Sequence, residues 1–188
     1  MSQHDQQEYV AAMEEYRRRR DEGFRDAADS PIPEDERDTF SGLAYFSPNA
    51  AFRVEATLTP FREPQVVRLG STKGDLREQL RYGELAFRLG GVECRLIAFK
   101  DVGDPDGAEM FVPFRDGTTG HQTYGAGRYV EPHDTGSGMG PRTVAVDFNL
   151  AYNPYCAYDV GYSCTLPPPE NTLTVPIVAG EKTYGSGH

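Results

Sequence analysis

Phe52-Arg-Val-Glu-Ala-Thr-Leu-Thr59 alternates apolar and polar residues, with Phe52, Val54, Ala56 and Leu58 on one side and Arg53, Glu55 and Thr57 on the other. A period of two predicts a half-buried strand. Leu85, Phe87 and Leu89 repeat the pattern, Gly90-Gly91 supplies a two-residue turn, and residues 92–99 return as a second strand. That is a hairpin signature. Asp104-Pro-Asp-Gly107 reads as a turn, since it lacks the first acid and the closing Glu of a calcium loop. A second hairpin is expected from 109–116 and 122–130 around the turn 117–120. A Gly-rich loop at 132–141 and strands at 142–149 and 173–178 follow. Eight or nine short strands of this kind predict a mainly β fold, an antiparallel β-sandwich or small barrel, with an N-terminal α-helix.

Upstream, Tyr9, Val10, Met13, Tyr16 and Phe24 recur at helical spacing and predict a helix over 3–27. Glu14 with Arg18 and Glu15 with Arg19 are i,i+4 pairs, and the Arg17–Arg20 run reads as a solvated face. Ser30-Pro-Ile-Pro33 ends the helix, and 34–38 reads as a charged linker. The expected organisation is therefore a helix and linker (1–39), a β domain (40–184), and a tag remnant (185–188).

The chain has 188 residues with 19 Lys+Arg against 29 Asp+Glu, a formal charge of −10. Only Lys73, Lys100 and Lys182 are lysines. This acidity disfavours phosphate backbones, so no nucleic-acid partner is expected. Carboxylate excess with few lysines reads as a halophilic protein of a high-salt cytoplasm. No apolar run is long enough to span a membrane, and no export signal is visible. The fingerprints of P-loop, zincin and nucleophile-elbow enzymes do not occur. A His-containing triad would need His121 or His133, both in turn-like sequence.

Several motifs in order carry a resemblance: Gly42-Leu-Ala-Tyr-Phe46, Phe52-Arg-Val-Glu-Ala56, Phe114-Arg-Asp116, Thr123-Tyr-Gly125, Gly127-Arg-Tyr129, Asp147-Phe-Asn149, Ala151-Tyr-Asn-Pro154, Cys156-Ala-Tyr158, and Cys164 through Pro167-Pro-Pro-Glu-Asn171. From Phe40 to Tyr184 the chain resembles domain of unknown function family 1684, as a haloarchaeal-like member. Thr165 departs from that series, where the family usually has proline. The resemblance implies a fold and a candidate site but no reaction.

The densest polar cluster lies in 114–171. If the strands at 122–130 and 143–149 pair, Arg128 meets Asp147 in a charge-assisted contact, with Asn149 beside it. Arg115, Asp116 and Tyr124 end neighbouring segments, and Tyr152 and Asn153 leave the sheet with them. These eight residues form the expected site for a polar or anionic small molecule, at the sheet end rather than on the helix. Two alternatives stand beside a binding domain. One is a hydrolytic enzyme with Asp147 as general base and Arg128 steadying an anion. The other is a structural or interaction protein whose polar cluster only braces its loop. The helix stripe suits docking or a homodimer. Cys94 reads as a buried small hydrophobe. Cys156 and Cys164 are spaced for a weak metal pair (zinc, completed by His133, His121 or Asp147), a loop-stapling disulfide, or two free thiols.

Overall fold

In the computed structural model, which describes residues 2–136, 138 and 140–185, the alternation at 52–59 is the inner end of a long strand, β1 (Arg53–Gly70). Ala56 and Leu58 are fully buried, while Arg53, Glu55 and Thr57 face out. β1 pairs antiparallel with β2 (Leu76–Leu89), which turns through Gly90-Gly91 into β3 (Val92–Lys100). The strand is longer than its apolar alternation because a bulge between Pro60 and Gln65 resets the register. The bulge turns the outer half of the ribbon onto a second cluster of Leu69, Ile97 and Phe99. Gly83 lies opposite Pro60, where a Cβ would come within 2.9 Å of the Thr59 carbonyl oxygen. Only glycine lets the two backbones approach that closely.

β4 (Val112–Phe114) pairs with β5 (Arg128–Val130), and β6 (Arg142–Asp147) pairs with the inner end of β1. The result is a four-stranded sheet in the order β3-β2-β1-β6 and a two-stranded sheet β4-β5, both antiparallel and not closed into a barrel. Between the sheets Leu58, Leu85, Leu96, Val112, Phe114, Val146, Phe148 and Ile177 share one core. The architecture is a β-rich sandwich.

Six strands form among the described residues, fewer than the eight or nine expected. The region 109–130 yields only two three-residue strands. Thr118–Thr123 is a turn locked by hydroxyl contacts, and Gly127 bends the chain at φ 98°. Residues 173–178 form no ladder at all. Their backbone groups bond instead to the Arg115 carbonyl oxygen, the Gly117 N–H, the Asp116 carboxylate and the Arg128 guanidinium. Tertiary partners thus take the place of a neighbouring strand along this segment. Of the expected loop 132–141, residues 137 and 139 lie outside the described residues, as does the expected tag remnant beyond Gly185.

The helix stands where expected, as α1 (Gln3–Asp26), opened by a capping box between Ser2 and Asp5. Its surface pairs are Arg19 with Glu15, as expected, and Arg18 with Glu15 and Glu22 rather than Glu14. The linker is ordered: it carries one helical turn, α2 (Glu34–Arg37), and Arg37 donates to the carbonyl oxygens of Ile32, Ala27 and Ser30. α1 docks on its own chain. Phe24 packs edge-on against Tyr158 with ring centres 5.0 Å apart, alongside Ile32 and Phe40.

Candidate functional site

The expected pairing of Arg128 with Asp147 does not occur. β5 runs beside β4, and β6 runs beside β1, so the two residues belong to different sheets. Arg128 is 1 % exposed and spends its fork on four acceptors. These are the carbonyl oxygens of Ala179, Glu181 (2.9 Å) and Ile177 (2.8 Å), and Asp116 Oδ2 (3.1 Å). Burial lowers its pKa and Asp116 opposes that shift. Asp116 Oδ1 accepts in turn from the Thr118 N–H and hydroxyl and from the Ile177 N–H. This pair therefore fastens residues 173–182 to the small sheet. Arg115 continues β4, exchanging backbone hydrogen bonds with Asn171 and Leu173.

The other expected residues divide. Asn149 bonds across to the backbone of Asn49 and to Asp147. The Asn153 N–H donates to Glu181 Oε2 and its side-chain amide donates to the Lys182 carbonyl oxygen. Tyr124 donates to the Cys156 carbonyl oxygen and approaches its sulfur. Asp147 and Tyr152 face open clefts. The Tyr9 hydroxyl shares its one proton between the two Asp147 oxygens, at 2.9 and 2.8 Å, and Asp147 Oδ2 lies 3.9 Å from Arg53. Tyr152 donates to Glu131.

Two adjoining clefts of about 740 and 660 Å³ run along α1 and share Tyr16, Glu109, Glu131 and Tyr152 as a common wall. The larger is walled further by Phe111, Tyr129, Tyr155, Tyr162 and Cys164, and the smaller by Tyr9, His133 and Asp147. In the larger cleft Glu78, Asp101, Asp104, Glu109 and Glu131 outnumber Arg20 and Arg77. Burial raises the Glu131 pKa, the Tyr152 hydroxyl opposes that rise, and neighbouring Glu109 adds to it. Burial, reinforced by Glu131, likewise raises the Tyr152 pKa.

The sequence reading kept α1 out of the expected site, and the structure places part of α1 along both clefts. Tyr9 and Tyr16 form cleft walls, and Arg20 binds the fully buried Glu181 at 2.7 Å. Only Arg18 and Arg19 of the arginine run are solvated. Arg17 lies over the Tyr45 ring at 4.5 Å and Arg20 over Phe24 at 4.8 Å. The available signal was the spacing of Tyr9, Met13, Tyr16, Arg20 and Phe24 on one helical face.

Cys94 is buried, as expected. Cys156 and Cys164 are both free thiols. Among the described residues no group of three or more His, Cys, Asp or Glu side chains is placed to hold a metal ion. The Cys156 N–H donates to Cys164 Sγ at 3.2 Å.

Residues 38–182 match the family described as "Protein of unknown function (DUF1684)". The chain belongs to this family. The solution NMR structure of an uncharacterised protein from Haloarcula marismortui is 40 % identical. It superposes at a TM-score of 0.75, covering 97 % of this chain and 98 % of that one. No curated protein matches. The haloarchaeal origin of that relative agrees in kind with the acidic, lysine-poor composition. Among the described residues no helix is long and apolar enough to cross a membrane. At the departure from the family series, Thr165 opposes Ser71 in a bridge whose hydrogen bonds run through Cys164 and Leu166. The bridge does not use the Thr165 N–H, so threonine and proline both fit it.

Proposed function

We propose that this DUF1684 chain is a small-molecule-binding β domain of a salt-adapted cytoplasm, with its ligand in the clefts along α1. The supporting observation is the shared wall of Tyr16, Tyr152, Glu109 and Glu131, where aromatic faces and two neighbouring carboxylates converge on open space. Concave sites with a few convergent polar groups are where small ligands bind. The expectation of an anion rested on Arg115 and Arg128, and the Arg128 fork is already committed to four internal acceptors. Carboxylates outnumber guanidiniums on the larger cleft, so its chemistry favours an organic cation, held by charge and by ring faces. The hydrolytic reading has less support: the Tyr9 proton is shared by the two Asp147 oxygens and Asn149 donates to Oδ1, so the proposed base is already engaged.

Thermal shift in molar KCl tests the proposal, with one panel of primary and quaternary amines and another of organic phosphates and carboxylates. At a hundredfold excess over Kd, a true ligand adds about 2.7 kcal/mol, on the order of 5–10 °C in a chain this size. The response should come from the amines and vanish in Glu131→Gln and Tyr152→Ala. A response to the anionic panel alone, or an amine response unchanged in both variants, would overturn the reading.

A further inference from the structure

Cys156 and Cys164 lie in the segment that leaves β6, and several independent contacts bring them together. A 3₁₀ turn at Tyr155–Ala157 places Cys156 inside, 6 % exposed. Cys164 is tied to the turn between β1 and β2. Its N–H donates to the Thr72 hydroxyl at 3.1 Å, and its carbonyl oxygen accepts from the Thr72 N–H at 2.9 Å. The same residue forms part of the larger cleft's wall, so one sulfur is reached from solvent and the other lies behind it.

Hydrogen-bond donors approach both sulfurs of the pair. The Cys156 N–H points at Cys164 Sγ, and the Tyr124 hydroxyl is 3.7 Å from Cys156 Sγ. Such an environment favours a thiolate over a thiol. The Cys156 thiol is brought down to about 6, chiefly by its hydrogen bond from Cys164, and the Cys164 thiol is pushed up in return. The two sulfurs therefore titrate as a pair that shares one proton at neutral pH.

We infer that Cys156 and Cys164 form a hydroperoxide-reactive dithiol, in which Cys164 meets the oxidant in the cleft and Cys156 resolves the product as a disulfide. In the first step Cys164 passes its proton to the Cys156 thiolate and its sulfur attacks hydrogen peroxide. An S–O bond forms, the O–O bond breaks, and hydroxide leaves as water with a proton from the pair. In the second step the Cys156 sulfur attacks the sulfenic sulfur. The S–S bond forms, the S–O bond breaks, and the second hydroxide leaves as water with a proton from solvent. Two thiols lose two electrons and one peroxide is reduced to two waters. The dithiol chemistry requires no organic ligand, although Cys164 lines the same larger cleft.

The test uses the reduced full-length chain in molar KCl with one equivalent of hydrogen peroxide, read by intact mass and thiol count. The mass should fall by about 2 Da and two thiols should disappear, with peptide mapping joining 156 to 164. Cys94→Ser should behave as wild type. Cys156→Ser should gain one oxygen, about 16 Da, as a sulfenic acid trapped by dimedone. Cys164→Ser should consume peroxide about tenfold more slowly, because its remaining sulfur is buried. If a serine variant misfolds by circular dichroism, wild type and Cys94→Ser decide alone. Survival of all three thiols, oxidation of Cys94 first, or a wild-type product carrying added oxygen without the 156–164 link would overturn the inference.

Discussion

Replacing Arg128 by methionine keeps most of the stem and deletes the fork, and the consequence can be worked from its partners. The substitution strands Asp116 Oδ2 at a site whose side chain is 1 % exposed, together with the carbonyl oxygens of Ile177, Ala179 and Glu181. Breaking a buried ion pair from one side costs about 3–5 kcal/mol. Each carbonyl left without a donor adds on the order of 1 kcal/mol where water does not reach it. The sum, about 6–8 kcal/mol, rivals the whole stability of an ordinary domain, about 5–15 kcal/mol. Urea titration in molar KCl, followed by fluorescence and circular dichroism, should find Arg128→Met largely unfolded or its midpoint lowered by about 2 M. Adding Asp116→Asn keeps an acceptor for Thr118 and Ile177 and removes the stranded charge, so the double variant should recover about 2 kcal/mol. A loss under about 1.5 kcal/mol in the single variant would show that water or a repacked chain satisfies these groups, and the bracing role would be refuted.

Three further outcomes follow from other contacts. The Arg142 guanidinium, with the Tyr82 hydroxyl, holds the Asp134 carboxyl down from 3.8 to about 2. Because its folded value is depressed, its contribution, about 1 kcal/mol after screening, is complete above pH 4 and lost as the pH falls toward 2. Acid melts of Asp134→Asn should lack that slope, and an unchanged slope would assign the acid loss elsewhere. Gly180 sits at φ 75°, where a Cβ would meet the carbonyl oxygens of Ala151 and Phe148, so Gly180→Ala should cost at least about 2 kcal/mol by thermal melt. With a net charge of −10, the thermal midpoint should rise between low and molar KCl, and equal midpoints would remove the salt-adapted reading.

The meander β1–β2–β3 was legible because each strand alternates and the Gly90-Gly91 turn has one geometry, with both glycines at positive φ. The helix was legible for the same kind of reason, through its spacing. The second layer was not. A backbone segment such as 173–178 looks like a strand to a propensity argument, yet its hydrogen-bond partners are an arginine fork and a carboxylate from distant positions. Likewise Arg20 reads as solvated among its neighbours, since nothing local reveals that Glu181, 161 residues away, completes it. Short-range pattern identifies faces; it does not identify which polar group a buried charge will meet. The candidate site suffered most, because Arg128 and Asp147 share an arithmetic of strand positions that a different sheet order overrules.

The fastening of residues 173–182 has a consequence for the order of events during synthesis. β4, β5 and β6 leave the ribosome before that segment, but Arg128 can enter the interior only when the Ile177, Ala179 and Glu181 carbonyls are there to receive it. Arg20, near the other end, waits for the same Glu181. A nascent chain that has reached residue 170 can zip its hairpin, which needs only neighbours, while its smaller sheet stays open with an unmet guanidinium. The sandwich then closes in one late step that joins contacts far apart along the chain, the regime in which folding is slow and an unfinished polypeptide most needs protection from its neighbours.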